Sequence, residues 1–171
     1  MDSVSLHLNH KKTKAIFFST STFVDRINRL NLEVELGKGI RVPFSEKVKS
    51  LGVMLERKLT WDSQITAVEK KTKKLLYSFR FIRHCTTEKL RILLVQALIT
   101  PHLDYCNTVC LDASSALKAR IQLLSDSSIR YIFGIRKDEH ISPYRKQLNW
   151  LCKYTRRLYF TGIIIYKILR L

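Results

Sequence analysis

The segment at residues 60–83 constrains the fold most, because its apolar residues recur at the spacing of one face of an α-helix. This apolar stripe consists of Trp61, Ile65, Val68, Thr72, Leu75, Leu76, Phe79 and Ile82. Thr60 and the acidic Asp62 are typical of a helix start. We therefore predict a long amphipathic helix that begins near Trp61.

The opposite face of this predicted helix is basic. A turn of about 100° per residue brings together Lys70, Lys73, Lys74, Tyr77 and Arg80. Such a helix is about 35 Å long, and duplex nucleic acid presents a negative charge about every 1.7 Å, so this row of cations could follow its backbone. The solvated face that any surface helix needs also explains the pattern. With Arg83, these residues are the candidate nucleic-acid-binding residues.

Ahead of the helix, apolar and polar residues alternate on both sides of a Gly-Lys-Gly turn at residues 37–39. The apolar positions are Leu32, Val34, Leu36, Ile40, Val42 and Phe44. This period of two predicts an antiparallel hairpin with one buried face. The apolar run at residues 48–55 predicts a buried third strand of the same sheet, and residues 14–19 are a further candidate strand.

Beyond Leu59 the sequence predicts helices only, since glycine and proline are sparse. Thr86-Thr87-Glu88 is expected to start a helix that reaches Ile99, and Pro101 to end it, kink it or open the next one. The apolar residues of that helix are Leu90, Leu93, Leu94, Ala97 and Leu98.

Three more helices are predicted downstream. Ser114 and Ser115 precede the first of them, and Gly134 stops it. Its buried side is predicted to hold Leu117, Ile121, Leu124, Ser128 and Ile132. Ser142-Pro143 starts a helix that reaches Trp150, and residues 153–171 form a basic amphipathic helix with Arg156, Arg157, Lys167 and Arg170. The predicted fold class is α+β, a small antiparallel hairpin or sheet followed by a mostly helical, thumb-like bundle.

The chain is strongly cationic: 31 Lys and Arg face 14 Asp and Glu, a formal net charge of +17. Self-repulsion of this size favours a polyanionic partner, with nucleic acid first and an anionic membrane surface second. The apolar tail at residues 158–171 is shorter than the ~20 residues that a membrane span needs. Of the two polyanionic partners we expect nucleic acid and not a membrane. Four scattered cysteines and the lack of a signal-peptide pattern favour an intracellular protein, in nucleus and cytoplasm if expressed.

Several sequence blocks carry a family resemblance. In chain order they are Leu8-Asn9-His10-Lys11-Lys12-Thr13, Leu51-Gly52-Val53, Leu59-Thr60-Trp61 with Ile65, Leu94-Val95-Gln96, Pro101-His102-Leu103-Asp104-Tyr105-Cys106-Asn107, Ile129-Arg130-Tyr131-Ile132-Phe133-Gly134 and His140-Ile141-Ser142-Pro143-Tyr144-Arg145. Together they resemble the C-terminal part of reverse transcriptases of non-LTR retrotransposons of the jockey and LINE kind.

The resemblance implies a division of the chain. Residues 1–58 would be the end of the palm and the primer-grip hairpin, residues 59–135 the helical thumb, and residues 136–171 the post-thumb helices. Leu51-Gly52-Val53 would set the primer end, with Gly52 allowing close backbone approach. Lys12 would be the palm-end lysine that protonates the departing pyrophosphate, although an ordinary loop lysine also explains it.

The resemblance also implies partners and a cofactor. The partners are the RNA and DNA of the template–primer duplex and the upstream palm and fingers of a parent RNA-directed DNA polymerase. That polymerase uses Mg²⁺ held by clustered carboxylates. Since the Tyr-x-Asp-Asp motif does not occur in this chain, we assign it no catalytic residue and no cofactor.

Other chemistry in the sequence is sparse. His102, Cys106 and Cys110 have helical i, i+4, i+8 spacing, but a closed zinc site needs four ligands, so we interpret them as helical core residues and assign no metal. Asp138-Glu139 is interpreted as part of a solvated loop. Two other functions stay open: a retained, non-catalytic nucleic-acid-binding protein, and a non-functional retroelement relic.

Overall fold

The computed structural model describes residues 9, 12–20, 23–24, 33–36, 39–105 and 110–170. These residues form two small antiparallel hairpins followed by helices, which confirms the predicted α+β class. The chain divides into two compact units, Met1–Ser63 and Gln64–Leu171. The assignment of residues 1–58, 59–135 and 136–171 to palm end, thumb and post-thumb stays a prediction.

The first hairpin of the N-terminal unit pairs β1 (Glu33–Glu35) with β2 (Arg41–Pro43), with Val34 opposite Val42. Val42 is buried and the charged neighbours are exposed, as the alternation predicts. Leu32, Gly37 and Lys38 of the predicted hairpin lie outside the described residues. The strand predicted at residues 14–19 is wrong: that segment makes a single parallel β-bridge, from Ala15 to Phe44, and one further backbone hydrogen bond, from the Ser19 N–H to the Arg57 carbonyl.

The prediction of one buried strand at residues 48–55 is also wrong. The segment is a second hairpin, in which β3 (Lys47–Ser50) pairs with β4 (Val53–Glu56). The chain reverses at Leu51 and Gly52, whose φ angles are 46° and 84°. Positive φ at both central residues is the geometry of a type I′ turn, which suits the twist of a two-residue hairpin. Each hairpin is therefore its own two-stranded sheet.

The helical unit begins with the predicted long helix, α1 (Asp62–Ile82), whose first residues still belong to the N-terminal unit. A 3₁₀ turn at Arg83–Cys85 follows it. The next helix, α2 (Glu88–Leu94), has Thr87 as its N-cap, and the Thr87 hydroxyl accepts a hydrogen bond from the Leu90 N–H at 3.3 Å. The predicted helix start at residues 86–88 is thus confirmed.

A π-helical turn at Val95–Ile99 joins α2 to α3 (Thr100–Asp104). In this turn the Thr100 N–H bonds the Val95 carbonyl, five residues back. Pro101 lies in the first turn of α3, one of the three predicted outcomes. Because its ring lacks an N–H and would clash with the carbonyl four residues back, a regular helix cannot pass through it, and the wider turn accommodates it.

The buried side of this segment is not the one that its predicted apolar residues define. Val95, Ile99 and Leu103 enter the core, whereas the predicted apolar residues Leu90 and Leu93 are 43% and 60% exposed. Val95, Ile99 and Leu103 follow one another at intervals of four residues, so they lie on one side of the segment and pack into the core.

The third long helix, α4 (Ser115–Phe133), matches its prediction. The Ser114 hydroxyl accepts from the Leu117 N–H at 3.4 Å, and Gly134 ends the helix with a φ of 72°. All five residues predicted for its inner side are buried. The next helix, α5 (Ser142–Gln147), is shorter than predicted and stops before Trp150, and α6 (Lys153–Leu169) follows.

The core of the helical unit lies between α1, the π-helical turn, α3 and α4. Its buried members are Leu76, Phe79, Val95, Ile99, Leu103, Leu124, Tyr131 and Ile132. Among the described residues, none of the helices has the combination of length and apolar character that crossing a membrane requires.

Candidate nucleic-acid interface

The two faces of α1 separate as the sequence predicts. Ile65, Thr72, Leu76 and Phe79 of the apolar stripe are buried. The predicted basic face, Lys70, Lys73, Lys74, Tyr77 and Arg80, is exposed. Tyr77 is 62% exposed and Phe79 only 6%. The predicted segregation is thereby confirmed, with Ile82 as the exception because it is exposed; the role of the basic residues in binding stays a prediction.

The cations of this face differ in their pairing. Lys73 Nζ lies 2.6 Å from the Glu69 carboxylate, whereas no carboxylate in the described part of the chain pairs with Lys70 or Lys74. Glu69 also accepts hydrogen bonds from Arg120 on α4. The hydrogen bond from Lys73 and then those from Arg120 lower the pKa of Glu69, so the carboxylate is charged at neutral pH and offsets the charge of Lys73.

An aromatic pair lies within the basic face. The rings of Tyr77 and Phe81 meet edge to face with centroids 4.9 Å apart, and Phe81 is 62% exposed. Sequence reasoning missed Phe81, although its i+4 spacing from Tyr77 places it on the same face. Exposed aromatic rings beside cations are the combination that stacks against the bases of single-stranded nucleic acid.

Arg83, the last of the predicted binding residues, turns away from the row on α1. Its Nε donates a hydrogen bond to the Tyr131 carbonyl in the last turn of α4, at 3.2 Å. Its guanidinium lies against Gly134, since a Cβ placed on that glycine would overlap Nη2. Arg83 therefore belongs to a separate feature at the C-terminal ends of the two helices.

That feature is a cleft of about 490 Å³. Its cationic wall consists of Arg80, Arg83, Arg130 and Lys137. We call it the arginine cleft. Sequence reasoning missed Arg130 and Lys137, because they meet Arg80 and Arg83 only through the packing of α4 against α1. The clustering of lysine and arginine near Gly134 was a sequence signal, but it did not indicate which residues converge.

The residues predicted to act at the primer end lie in the N-terminal unit. Leu51 is 89% exposed at the tip of the second hairpin and Gly52 is also exposed, whereas Val53 is buried in β4. Lys12 is exposed in a turn, where its N–H donates to the Asn9 carbonyl at 3.1 Å. The primer-grip and palm-end roles stay predictions.

A polar cluster supports the end of β4. The Glu56 carboxylate accepts hydrogen bonds from Ser63 and, at 2.5 Å, from Thr60, and pairs with Lys47 Nζ at 3.0 Å. Burial of Glu56 raises its pKa, but these three hydrogen bonds and the charge of Lys47 outweigh burial and lower the pKa to about 2. Glu56 is thus a charged structural group that fixes the hairpin to the start of α1.

The predicted basic tail is partly internal. Lys153 and Arg157, at the start of α6, are buried. Lys153 Nζ and Arg156 Nη2 both pair with Asp104 of α3, at 3.1 and 2.7 Å. Burial lowers the pKa of Lys153, and the neighbouring Asp104 opposes that effect. These cations anchor α6 to α3, so they are structural and not part of an exposed basic surface.

His102 and Cys110, two of the three residues weighed as zinc ligands, do not share a helix. The helix that contains His102 ends at Asp104, and Cys110 is buried in a turn beyond it. Cys106 lies outside the described residues. Residues 9–105 and 110–170, as far as they are described, contain no group of three or more His, Cys, Asp or Glu side chains that could hold a metal. Asp138 and Glu139 are exposed, as predicted for a solvated loop.

Comparison of this chain with protein-family models, with curated proteins and with solved structures found no match. The resemblance to reverse transcriptases therefore stays a prediction from the sequence blocks. The geometry of the α1 face and of the arginine cleft is what bears on function.

Proposed function

We propose that this chain grips an RNA–DNA template–primer duplex by its phosphate backbone, as the thumb part of an RNA-directed DNA polymerase of a non-LTR retrotransposon. In this proposal the chain itself does not catalyse DNA synthesis. The catalytic aspartates and their Mg²⁺ belong to the upstream palm of the parent polymerase. The observation that supports it most is the exposure of Lys70, Lys74 and Arg80 along one face of α1, opposite a buried apolar stripe.

The spacing of these cations suits a phosphate backbone. Lys70 and Arg80 are ten residues apart on α1, which is about 15 Å at the usual helical rise. Over that length duplex nucleic acid presents about nine phosphate charges. Contacts to phosphates carry no sequence information, so binding through phosphate contacts on this face would be insensitive to sequence.

Salt dependence of binding tests the proposal. The native chain is titrated into a fluorescein-labelled RNA–DNA hybrid, and the association constant is measured by anisotropy over a range of salt concentrations. Three phosphate contacts predict a slope of about −3 in log K against log salt, and the Lys70→Gln/Lys74→Gln variant should lose about 2 units of that slope.

The matched control is Lys89→Gln/Lys146→Gln, which removes two exposed lysines from α2 and α5. It makes the same change in net charge and should leave most of the slope in place. Equal effects of the two double variants would contradict a role for the α1 face. Absence of binding to any polyanion at low salt, with no cooperative thermal unfolding, would leave the relic interpretation in place.

A further inference from the structure

The arginine cleft carries more positive charge than its own surroundings offset. Arg80 comes from the last turn of α1, Arg83 from the 3₁₀ turn that follows, Arg130 from α4, and Lys137 from the loop after Gly134. No Asp or Glu is among the described residues that line it. Four formal positive charges therefore face one concave space of about 490 Å³.

Internal hydrogen bonds use only part of the donor capacity of these side chains. Arg83 donates through Nε to the Tyr131 carbonyl, and Arg130 donates through Nη1 and Nη2 to the carbonyls of Arg136 and Glu139. A guanidinium has five N–H donors, so hydrogen bonds within the described part of the chain leave four unused on Arg83 and three on Arg130. All three acceptors are neutral carbonyls. They hold the guanidinium groups in place and leave their charge available.

We propose that the arginine cleft binds a phosphate monoester, together with the nucleoside that carries it. Arginine pairs bidentately with phosphate oxygens, and a monoester carries about −1.5 to −2 at neutral pH. An internal phosphodiester carries only one negative charge, so a cluster of four cations favours the monoester. The cleft is also too large for a phosphate group alone, and Leu123 and Ile135 supply an apolar wall for a sugar or base.

The monoester has two possible sources, the phosphorylated end of a nucleic-acid strand and a free mononucleotide. The strand end rests on the proposed function, since a duplex lying along α1 would bring its terminus to the arginine cleft, where α1 ends. A free mononucleotide does not require that function. Arg80 belongs to both surfaces, so the preference for a phosphorylated ligand, and not the overall affinity for hybrids, reports on the cleft.

The test compares labelled hybrids of one sequence that carry a 5′-phosphate, a 3′-phosphate or only hydroxyl ends, with adenosine 5′-monophosphate as a competitor and as a direct ligand. The native chain should bind at least one phosphorylated hybrid about tenfold more tightly than the hydroxyl one. Arg80→Gln/Lys137→Gln should bring that ratio close to one and, because Arg80 also belongs to the α1 face, should weaken the binding of every hybrid. It is a mild change for the fold, because neither side chain donates a hydrogen bond to a described residue. Lys70→Gln/Lys74→Gln is the control and should weaken all hybrids while it preserves the ratio.

Each outcome separates the two proposals. Direct binding of the monophosphate without binding of any hybrid would support the cleft and overturn the proposed function. Equal binding of all hybrids, with no binding of the monophosphate, would overturn the cleft and leave the α1 face intact. A phosphate preference that survives in Arg80→Gln/Lys137→Gln would place the phosphate elsewhere and likewise overturn the inference.

Discussion

The carboxylate of Glu69 on α1 accepts two hydrogen bonds from the guanidinium of Arg120 on α4, from Nε at 3.0 Å and from Nη2 at 2.6 Å. The same carboxylate pairs with Lys73, one turn further along α1, at 2.6 Å. Glu69 thus joins two long helices and also neutralises one cation of the basic face. Glu69 should therefore stabilise the fold and at the same time weaken the attraction of the basic face for nucleic acid.

Glu69→Gln should therefore change stability and binding in opposite directions. Loss of the charge-assisted bonds to Arg120 should lower the free energy of unfolding by about 1–2 kcal/mol, a modest value because Arg120 is partly exposed. Release of Lys73 should add up to about 0.9 to the magnitude of the salt slope for hybrid binding. Urea unfolding and anisotropy measure the two effects.

Glu88→Gln is the control for this variant, since it removes an exposed carboxylate from the first turn of α2 and makes the same change in net charge. It should leave the salt slope unchanged. If both variants tighten binding equally, Lys73 is not a contact and only net charge matters.

The N-terminal unit should lose stability in acid because of Glu56. Its pKa is lowered to about 2 in the folded chain, so its contribution is fully present above the unfolded value near 4.5 and is lost as the pH falls through 2. A shift of this size corresponds to roughly 3–4 kcal/mol. Denaturant unfolding followed by the fluorescence of buried Trp61, in a Trp150→Phe background, reports this unit.

Glu56→Gln should reduce stability at pH 7 by most of that amount and flatten the dependence on pH between 4.5 and 2. The control Glu46→Gln changes an exposed carboxylate of the same unit and should leave the dependence intact. A native-like acid profile in Glu56→Gln would show that another group carries it.

The elements of the fold that depend on the spacing of nearby residues could be predicted from the sequence. The apolar stripes of α1 and α4 have helical spacing, and Ser114 and Gly134 mark the ends of α4 through local hydrogen bonding and a positive φ. The second hairpin was not predictable in the same way. A leucine at positive φ, as at Leu51, is unfavourable by itself, so local preference did not indicate a turn inside an apolar run.

The features that depend on contacts between distant residues could not be predicted from the sequence. Lys153 is buried because Asp104, 49 residues earlier, pairs with it. Arg130 and Lys137 join Arg83 in the arginine cleft only because α4 ends beside the end of α1. The basic face of α1 was predictable because one helix carries it, whereas the cleft requires a tertiary arrangement.

Thr72→Val should stabilise the helical unit. The Thr72 side chain is fully buried in α1, and its hydroxyl has no hydrogen-bond partner among the described residues. A methyl group in its place removes an unsatisfied buried polar atom at nearly the same shape, which should raise the free energy of unfolding by about 1 kcal/mol. The control is Thr66→Val, because the Thr66 hydroxyl accepts from Arg120 at 3.0 Å and its loss should destabilise. Destabilisation by both variants would mean that the Thr72 hydroxyl has a partner in solution.

The two glycines of the helical unit should respond to alanine in opposite ways. Gly162 lies inside α6 with open space around its Cβ position, so Gly162→Ala should stabilise by about 0.5–1 kcal/mol through helix propensity.

Gly134 has a φ of +72°, and a Cβ there would overlap the Arg83 guanidinium. Gly134→Ala should therefore destabilise by about 1–2 kcal/mol and also displace Arg83 from the arginine cleft. Urea unfolding measures the first effect, and the ratio of affinities for phosphorylated and hydroxyl-ended hybrids measures the second. A full phosphate preference in Gly134→Ala would mean that Arg83 does not contact the phosphate, since that side chain cannot keep its position beside an alanine.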